Sequence, residues 1–196
     1  WTCEGIDFTR SPAYWLVSIS ALPFGTFGEM LGADNVLPTP GKFCGESCAN
    51  KWRGMLFGMT NRAGWVGHDP NDNAGLWRLW DDFGIAHAHM YGWWNSSCPT
   101  TTGSHTVLAS TYVRVGHSAL VALASWSTQQ ENVTLQIKWS SLNLDPEESE
   151  LVAPFLPSFN RANTTVKFSL GAPISIPAME GWLLLIRPKV SAALFV

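Results

Sequence analysis

Thr106-Val-Leu-Ala-Ser-Thr-Tyr-Val-Arg-Val115, then Gly116-His117, then Ser118-Ala-Leu-Val-Ala-Leu-Ala-Ser-Trp126 is the stretch on which the fold of this chain turns. Both runs are rich in β-branched, aromatic and small apolar residues, and the Gly-His pair between them reads as a hairpin turn. Beyond the hairpin, residues 132–138 alternate, with Val133, Leu135 and Ile137 on one face and Thr134, Gln136 and Lys138 on the other. Further short strands are expected at 150–152, 165–170, 173–176 and 182–187, with Pro and Gly between them. Residues 144–149 (Leu-Asp-Pro-Glu-Glu-Ser) read as a polar turn. Regularly spaced short strands with turn signals predict an antiparallel β-sandwich, and about 90 residues suffice for its core.

The residues before the sandwich follow a different pattern. Residues 14–21 (Tyr-Trp-Leu-Val-Ser-Ile-Ser-Ala) read as a strand running into Pro23-Phe-Gly25. Residues 52–60 suggest a helix with Met55, Leu56 and Met59 inward, weakened by Gly54 and Gly58. In residues 73–84, Leu76, Leu79, Trp80 and Phe83 make one apolar stripe; Asn73 can cap the helix and Gly84 can stop it. Residues 85–91 read as one more short strand. The order is α/β, so the expected fold is α/β followed by all-β, with domains at 1–100 and 101–196. Pro99-Thr-Thr-Thr-Gly-Ser104 is the expected junction.

Composition narrows the function. The chain has 196 residues, 46% hydrophobic and 14% charged, and a net charge of -3, which fits one domain or two small ones and excludes wholesale disorder. With 12 Lys+Arg against 15 Asp+Glu there is no basic surplus to neutralise a phosphate backbone, so nucleic acid is excluded as the main partner. The longest apolar run, residues 181–186, falls far short of the ~20 residues that span a bilayer, so no membrane is expected. No GxSxG elbow, phosphate loop or dinucleotide fingerprint occurs, and no cofactor is expected. Position 1 is Trp, and the chain is expected to be the remainder of a longer, processed or cut protein.

Four cysteines, Cys3, Cys44, Cys48 and Cys98, form no CxxC pair and fit two disulfides in an oxidising compartment. Cys44 with Cys48 and Cys3 with Cys98 is one of three pairings, among which the sequence does not choose. N-glycosylation sequons stand at Asn95, Asn132 and Asn163. Together these features point to a secreted or extracellular protein.

Five segments carry a family resemblance: residues 14–25, Arg53-Gly-Met-Leu-Phe-Gly-Met-Thr60, Leu76-Trp-Arg-Leu-Trp-Asp-Asp-Phe-Gly-Ile85, Leu123-Ala-Ser-Trp126 and Gly181-Trp-Leu-Leu-Leu-Ile186. Over roughly residues 10 to 188 the chain resembles the C-terminal part of glycoside-hydrolase-like proteins related to glycoside hydrolase family 123. The resemblance implies the end of a (β/α)8 barrel followed by a β-sandwich, and a glycan as substrate or ligand. A complete barrel takes roughly 200 residues or more, so only its last units fit before the sandwich. The family's adjacent acid pair, which serves substrate-assisted hydrolysis, would then lie upstream. Asp81-Asp82 is the one adjacent pair in this half and does not match it in position.

Within the chain, hydrolysis would need two carboxyls flanking the scissile bond. Glu29, in a loop after a strand, and Asp34 a few residues on are weak catalytic candidates, set against solvated loop positions. His87 and His89 share one face of the expected strand, a spacing metals can use, but no third ligand is evident, so no metal site is expected. Asp69, Asn71 and Asn73 begin like a calcium loop, which fails at Ala74 and Trp80. The richest aromatic feature is Trp93-Trp94 beside Tyr91: indole faces stack on sugar rings, and equally they pack a barrel against a sandwich. Of the 11 Trp, 8 fall in the first hundred residues; Trp126, Trp139 and Trp182 are assigned to the core. A truncated barrel leaves strand edges and an apolar face that an upstream segment, a partner chain or self-association would have to cover. Two readings compete, a glycoside-hydrolase-like protein and a non-catalytic glycoprotein using the same scaffold for assembly or sugar binding.

Overall fold

The computed structural model describes residues 3–4, 11–14, 16, 28–29, 51–58, 73–156 and 164–189. Helices with described bounds are α1 (Lys51–Leu56), α2 (Asn73–Phe83) and α3 (Trp139–Leu142). The strands are β1 (Cys3–Glu4), β2 (Gly28–Glu29), β3 (His89–Tyr91), β4 (Thr100–Thr101), β5 (Val107–Arg114), β6 (Ser118–Ser125), β7 (Glu131–Thr134), β8 (Gln136–Ile137), β9 (Ser149–Ala153), β10 (Val166–Phe168), β11 (Pro173–Ile176) and β12 (Gly181–Pro188). A small helical part precedes a mostly antiparallel β region, which bears out α/β followed by all-β. Among the described residues no helix is long and apolar enough to cross a membrane.

The central hairpin forms as its composition requires. β5 and β6 pair antiparallel from Val107↔Ser125 to Arg114↔Ser118. The connection is three residues, Val115 to His117, rather than the two expected, because Gly116 takes the left-handed conformation (φ 73°) that a three-residue hairpin loop needs. Around it the six-stranded sheet runs in the order β10-β9-β12-β6-β5-β3. β12 lies against β6 over Gly181↔Ala124 to Ile186↔Ala119 and against β9 on its other side. Gly181 is a packing necessity: a Cβ there would stand 1.8 Å from the Leu123 carbonyl oxygen.

Period-2 alternation divides the buried residues of the central strands between two cores. Leu120, Ala122, Ala124, Tyr112 and Leu183 face one side, where α1 and α2 supply Met55, Leu56, Leu76 and Phe83. Ala119, Val121, Leu123, Val107, Val113, Leu184 and Ile186 face the other, covered by Val133, Leu135, Ile174 and Ile176 from the β7–β11 layer. β6 is thus buried on both faces, which is why it reads as a near-continuous apolar run. Each fully buried Leu or Val here stabilises by roughly 1.5–3 kcal/mol relative to exposure.

Three expectations need correction. Residues 132–138 alternate in burial as expected, but β7 pairs with β11 while β8 pairs with β4, so the run changes partner at Leu135. Residues 12–14 and 16 are helical, not the strand expected from residue 14 onward. The reason is local: Ser11 Oγ accepts the Tyr14 N–H at 3.2 Å and Pro12 takes the first helical position, a helix-start signal at the head of the expected strand, whose residues 15 and 17–21 lie outside the described residues. In residues 85–91 a 3-10 turn, Ile85–His87, precedes β3, so only the second half of that segment is a strand. Helix α1 stops at Leu56, with Gly58 at φ 80°; Met59 lies outside the described residues. Helix α2 is as expected: Leu76 and Phe83 are buried, Leu79 and Trp80 half-buried, and Gly84 (φ 74°) ends it. β1 and β2 pair in parallel.

Candidate functional site

A pocket of about 580 Å³ opens between the helical turn at residues 11–13, the turn after β3 and the loop leaving β4. The local sequence builds it from short polar side chains that bind their own backbone. Asn95 Oδ1 accepts the Ser97 N–H at 2.8 Å, and Thr101 Oγ1 accepts the Gly103 N–H at 3.2 Å. Thr102 donates to the Val107 carbonyl and accepts the Ser104 N–H at 3.2 Å. Thr100 and Thr111 share a hydroxyl contact of 2.5 Å beneath the floor. No lining residue described is Asp, Glu, Lys or Arg.

Trp93 forms an apolar wall of this pocket. Its backbone N–H donates to Ser110 Oγ at 3.0 Å, and its ring meets Phe57 and Trp94 edge-on, with centroids 6.5 and 5.8 Å away. Its Nε1–H is buried without a partner. Trp94 stacks on Phe57 at 5.8 Å and 15°, and remains 42% exposed. A Cβ at Gly92 would lie 2.3 Å from the Trp94 ring, so only glycine lets the indole fold back over the turn. Tyr91 is separated from both: strand alternation turns it to the opposite core, where it meets His89 edge-on at 4.6 Å. The aromatic cluster in the structure is therefore Phe57, Trp93 and Trp94, not the expected Tyr91, Trp93 and Trp94. Trp126, Trp139 and Trp182 are half-buried and pack against the two cores, as expected.

The described part of the acidic candidates is limited. Glu29 lies in β2 opposite Glu4, not in a loop, and Asp34 falls outside the described residues. Asp81 and Asp82 are exposed on α2. Two glutamates have shifted acidities, both downward. The Thr106 hydroxyl, 2.6 Å away, holds Glu131 below its ordinary range, helped by Ser127 and Ser104 and opposed by slight burial. Lys167 at 2.7 Å does the same for Glu150, with Arg187 at 2.9 Å adding to it. His87 and His89 do not share a strand face, because His87 belongs to the 3-10 turn; both are exposed. Among the described residues no group of three or more ligands could hold a metal. Asp69 and Asn71 lie outside them.

Cys98 is a free thiol at the pocket, half-buried, 3.5 Å from the Tyr91 carbonyl oxygen and 3.7 Å from Thr111 Oγ1. The disulfide expected at this residue is not formed; the side chain of Cys3 and all of Cys44 and Cys48 lie outside the described residues. Asn95 and Asn132 are exposed, as glycan acceptors must be, and Asn163 lies outside the described residues.

Sequence reasoning missed the residues that hold this region in place. Arg53 is buried under the helix layer, donating from Nε and Nη2 to the Ser125 carbonyl at 3.0 and 2.8 Å and from Nη2 to Met179 Sδ at 3.1 Å. Its guanidinium lies 4.4 Å from the Trp126 ring, and burial lowers its pKa to about 10. Tyr112, whose pKa burial raises, donates to the Met55 carbonyl at 2.8 Å, and Ser110 to that of Leu56 at 2.7 Å. These bonds satisfy helix-end carbonyls that a six-residue helix cannot satisfy itself. A lone Arg in a predicted helix ordinarily reads as solvent-facing, so no local signal marked it.

Residues 72–187 match the family model described as glycoside hydrolase 123, C-terminal domain, and residues 1–64 match glycoside hydrolase 123, TIM-barrel domain. No curated protein and no solved structure matches the chain.

Proposed function

The chain belongs to the glycoside hydrolase 123 family, and from that membership we propose that it is the C-terminal portion of a larger secreted protein that hydrolyses glycans with acids supplied upstream of residue 1. The observation that carries this reading is the order of the two family matches, a barrel segment at 1–64 followed by the C-terminal domain at 72–187. A barrel match of that length is well short of the roughly 200 residues a complete barrel requires. A glycosidase general acid needs a raised pKa, and among the described residues Glu131 and Glu150 are held low instead.

On this reading the barrel portion and the sheet domain divide near residue 100, and Trp93 and Trp94 are the chain's carbohydrate contacts, with Tyr91 no longer beside them. Exposed Asn95 and Asn132 support passage through a glycosylating, secretory compartment. The same lack of converging acids among the described residues favours a second reading, a non-catalytic glycoprotein that keeps the scaffold for assembly or sugar binding.

Turnover separates the two. Neutral and amino-sugar oligosaccharides are offered to the longer protein and to the 196-residue chain, and released sugar is measured. Release by the longer protein alone is expected. Release by the short chain that Glu29→Gln abolishes would put the acid inside it, and no release by either would favour the non-catalytic reading.

A further inference from the structure

We infer that the pocket between the residue 11–13 turn, the Trp93–Ser96 turn and the loop after β4 is a non-catalytic binding site for a neutral saccharide unit, separate from any hydrolytic centre. The inference rests on the glycan-handling reading above and assigns it a place on the sheet domain. Its volume, about 580 Å³, lies within the ~300–1,000 Å³ typical of small-molecule sites, enough for a short oligosaccharide.

The wall chemistry selects the ligand. Trp93, half-buried, is the aromatic residue of the lining, and its buried Nε1 leaves the carbon surface of the side chain as what a ligand meets. Among the described residues, Asn95 Nδ2, the Ser96 hydroxyl and the His105 ring nitrogens, also in the lining, carry no protein hydrogen bond, although neighbouring polar groups of the loop are tied to the backbone. Thr101 accepts from Gly103 and keeps its hydroxyl proton to donate. An apolar ring plus uncommitted donors and acceptors of both kinds matches a pyranose, which has one apolar face and an equatorial rim of hydroxyls. With no Lys or Arg among the described lining residues, a uronate or sulfated sugar finds no counter-charge. With no Asp or Glu there either, bound sugar is held and not cleaved.

The test uses saturation-transfer NMR and titration calorimetry on the 196-residue chain. Probes are glucose, galactose, N-acetylglucosamine, short β-linked oligomers of each, and glucuronate. Ser96→Trp fills the pocket from an exposed position, and His105→Ala removes an exposed ring without touching either core. The expected result is binding of at least one neutral probe, no binding of glucuronate, abolition by Ser96→Trp, and roughly fivefold weakening by His105→Ala, the size of one neutral hydrogen bond. Trp77→Ala, exposed on α2 and outside the pocket lining, is expected to leave binding unchanged. Equal binding by wild type and Ser96→Trp, loss in Trp77→Ala alone, or equal binding of glucuronate would each overturn the inference while leaving the glycan reading intact. No binding by the chain while the longer protein turns glycans over does the same. No binding and no turnover would overturn both.

Discussion

The two faces of the six-stranded sheet are held by different means. The face toward β7 and β11 is closed at its centre by aliphatic side chains, Val107, Val121, Leu123, Leu184 and Ile186 against Val133, Leu135, Ile174 and Ile176, with Tyr91, Trp139, Phe168 and Trp182 packed around them. The face toward α1 and α2 has an apolar core too, but it is also fastened by directed polar groups. Tyr112 and Ser110 reach helix carbonyls, Arg53 reaches across to Ser125, and Arg114 caps the end of α2 through the Phe83 carbonyl at 2.7 Å. The difference follows from what covers each face. A strand pair satisfies its own backbone by pairing, whereas short helices present unpaired carbonyls that something must bond. The helix face is therefore specific in orientation and sensitive to loss of single hydrogen bonds, while the strand face is tolerant of polarity-neutral change and sensitive to volume.

Leu184→Ala should produce the largest effect. It opens a cavity between two sheets that cannot collapse around it, and roughly 2–5 kcal/mol of stability should be lost in urea denaturation. A loss near that of an exposed substitution would mean the β7–β11 layer does not seal this face. Tyr112→Phe should cost less, about 1–3 kcal/mol, because it strands the buried Met55 carbonyl without changing volume much. Hydrogen exchange sharpens the contrast: Tyr112→Phe should release amides of residues 51–58 before those of β6, and uniform release would erase the distinction between the faces. The smallest effect belongs to the sheet margin. Glu150, held below the ordinary glutamate value of 4.5 by Lys167 and Arg187, stabilises the fold at neutral pH. Its depressed acidity means that contribution fades as pH falls below 4.5. Because its partner Lys167 is 74% exposed and screened by solvent, Glu150→Gln should cost at most about 1 kcal/mol at pH 7 and nothing at low pH. Added salt should shrink even that, and a salt-independent loss would argue for a buried role instead.

Much of this contrast was legible in the chain. The run from Ser118 to Ser125, apolar on both parities, signals a strand buried on two faces, and Leu76, Leu79, Trp80 and Phe83 with Gly84 define α2 almost to the residue. The site was less legible. Trp93 and Trp94 were marked by their aromaticity, but Tyr91 was grouped with them because sequence adjacency does not show which side of a strand edge the chain turns to. Phe57 was missed as their stacking partner because 36 residues separate it from Trp93, and loop closure over that span leaves no local trace. The pocket hydroxyls of Thr101, Thr102 and Ser104 read only as a linker, since Thr and Ser fill turns and sites alike.

The sequence by itself determined the local periods: which residues extend, which coil, and where glycine at 84 and 116 must reverse the chain. Those depend on backbone sterics and on side chains a few positions apart. Only the tertiary structure decided that β12 lies between β6 and β9, that residues 131–137 divide between two partners, and that Arg53 passes under the helix layer to Ser125. Such pairings join residues far apart in the chain, and many local patterns are compatible with each. The choice falls to whichever arrangement buries both faces of β6 and leaves no helix carbonyl unbonded.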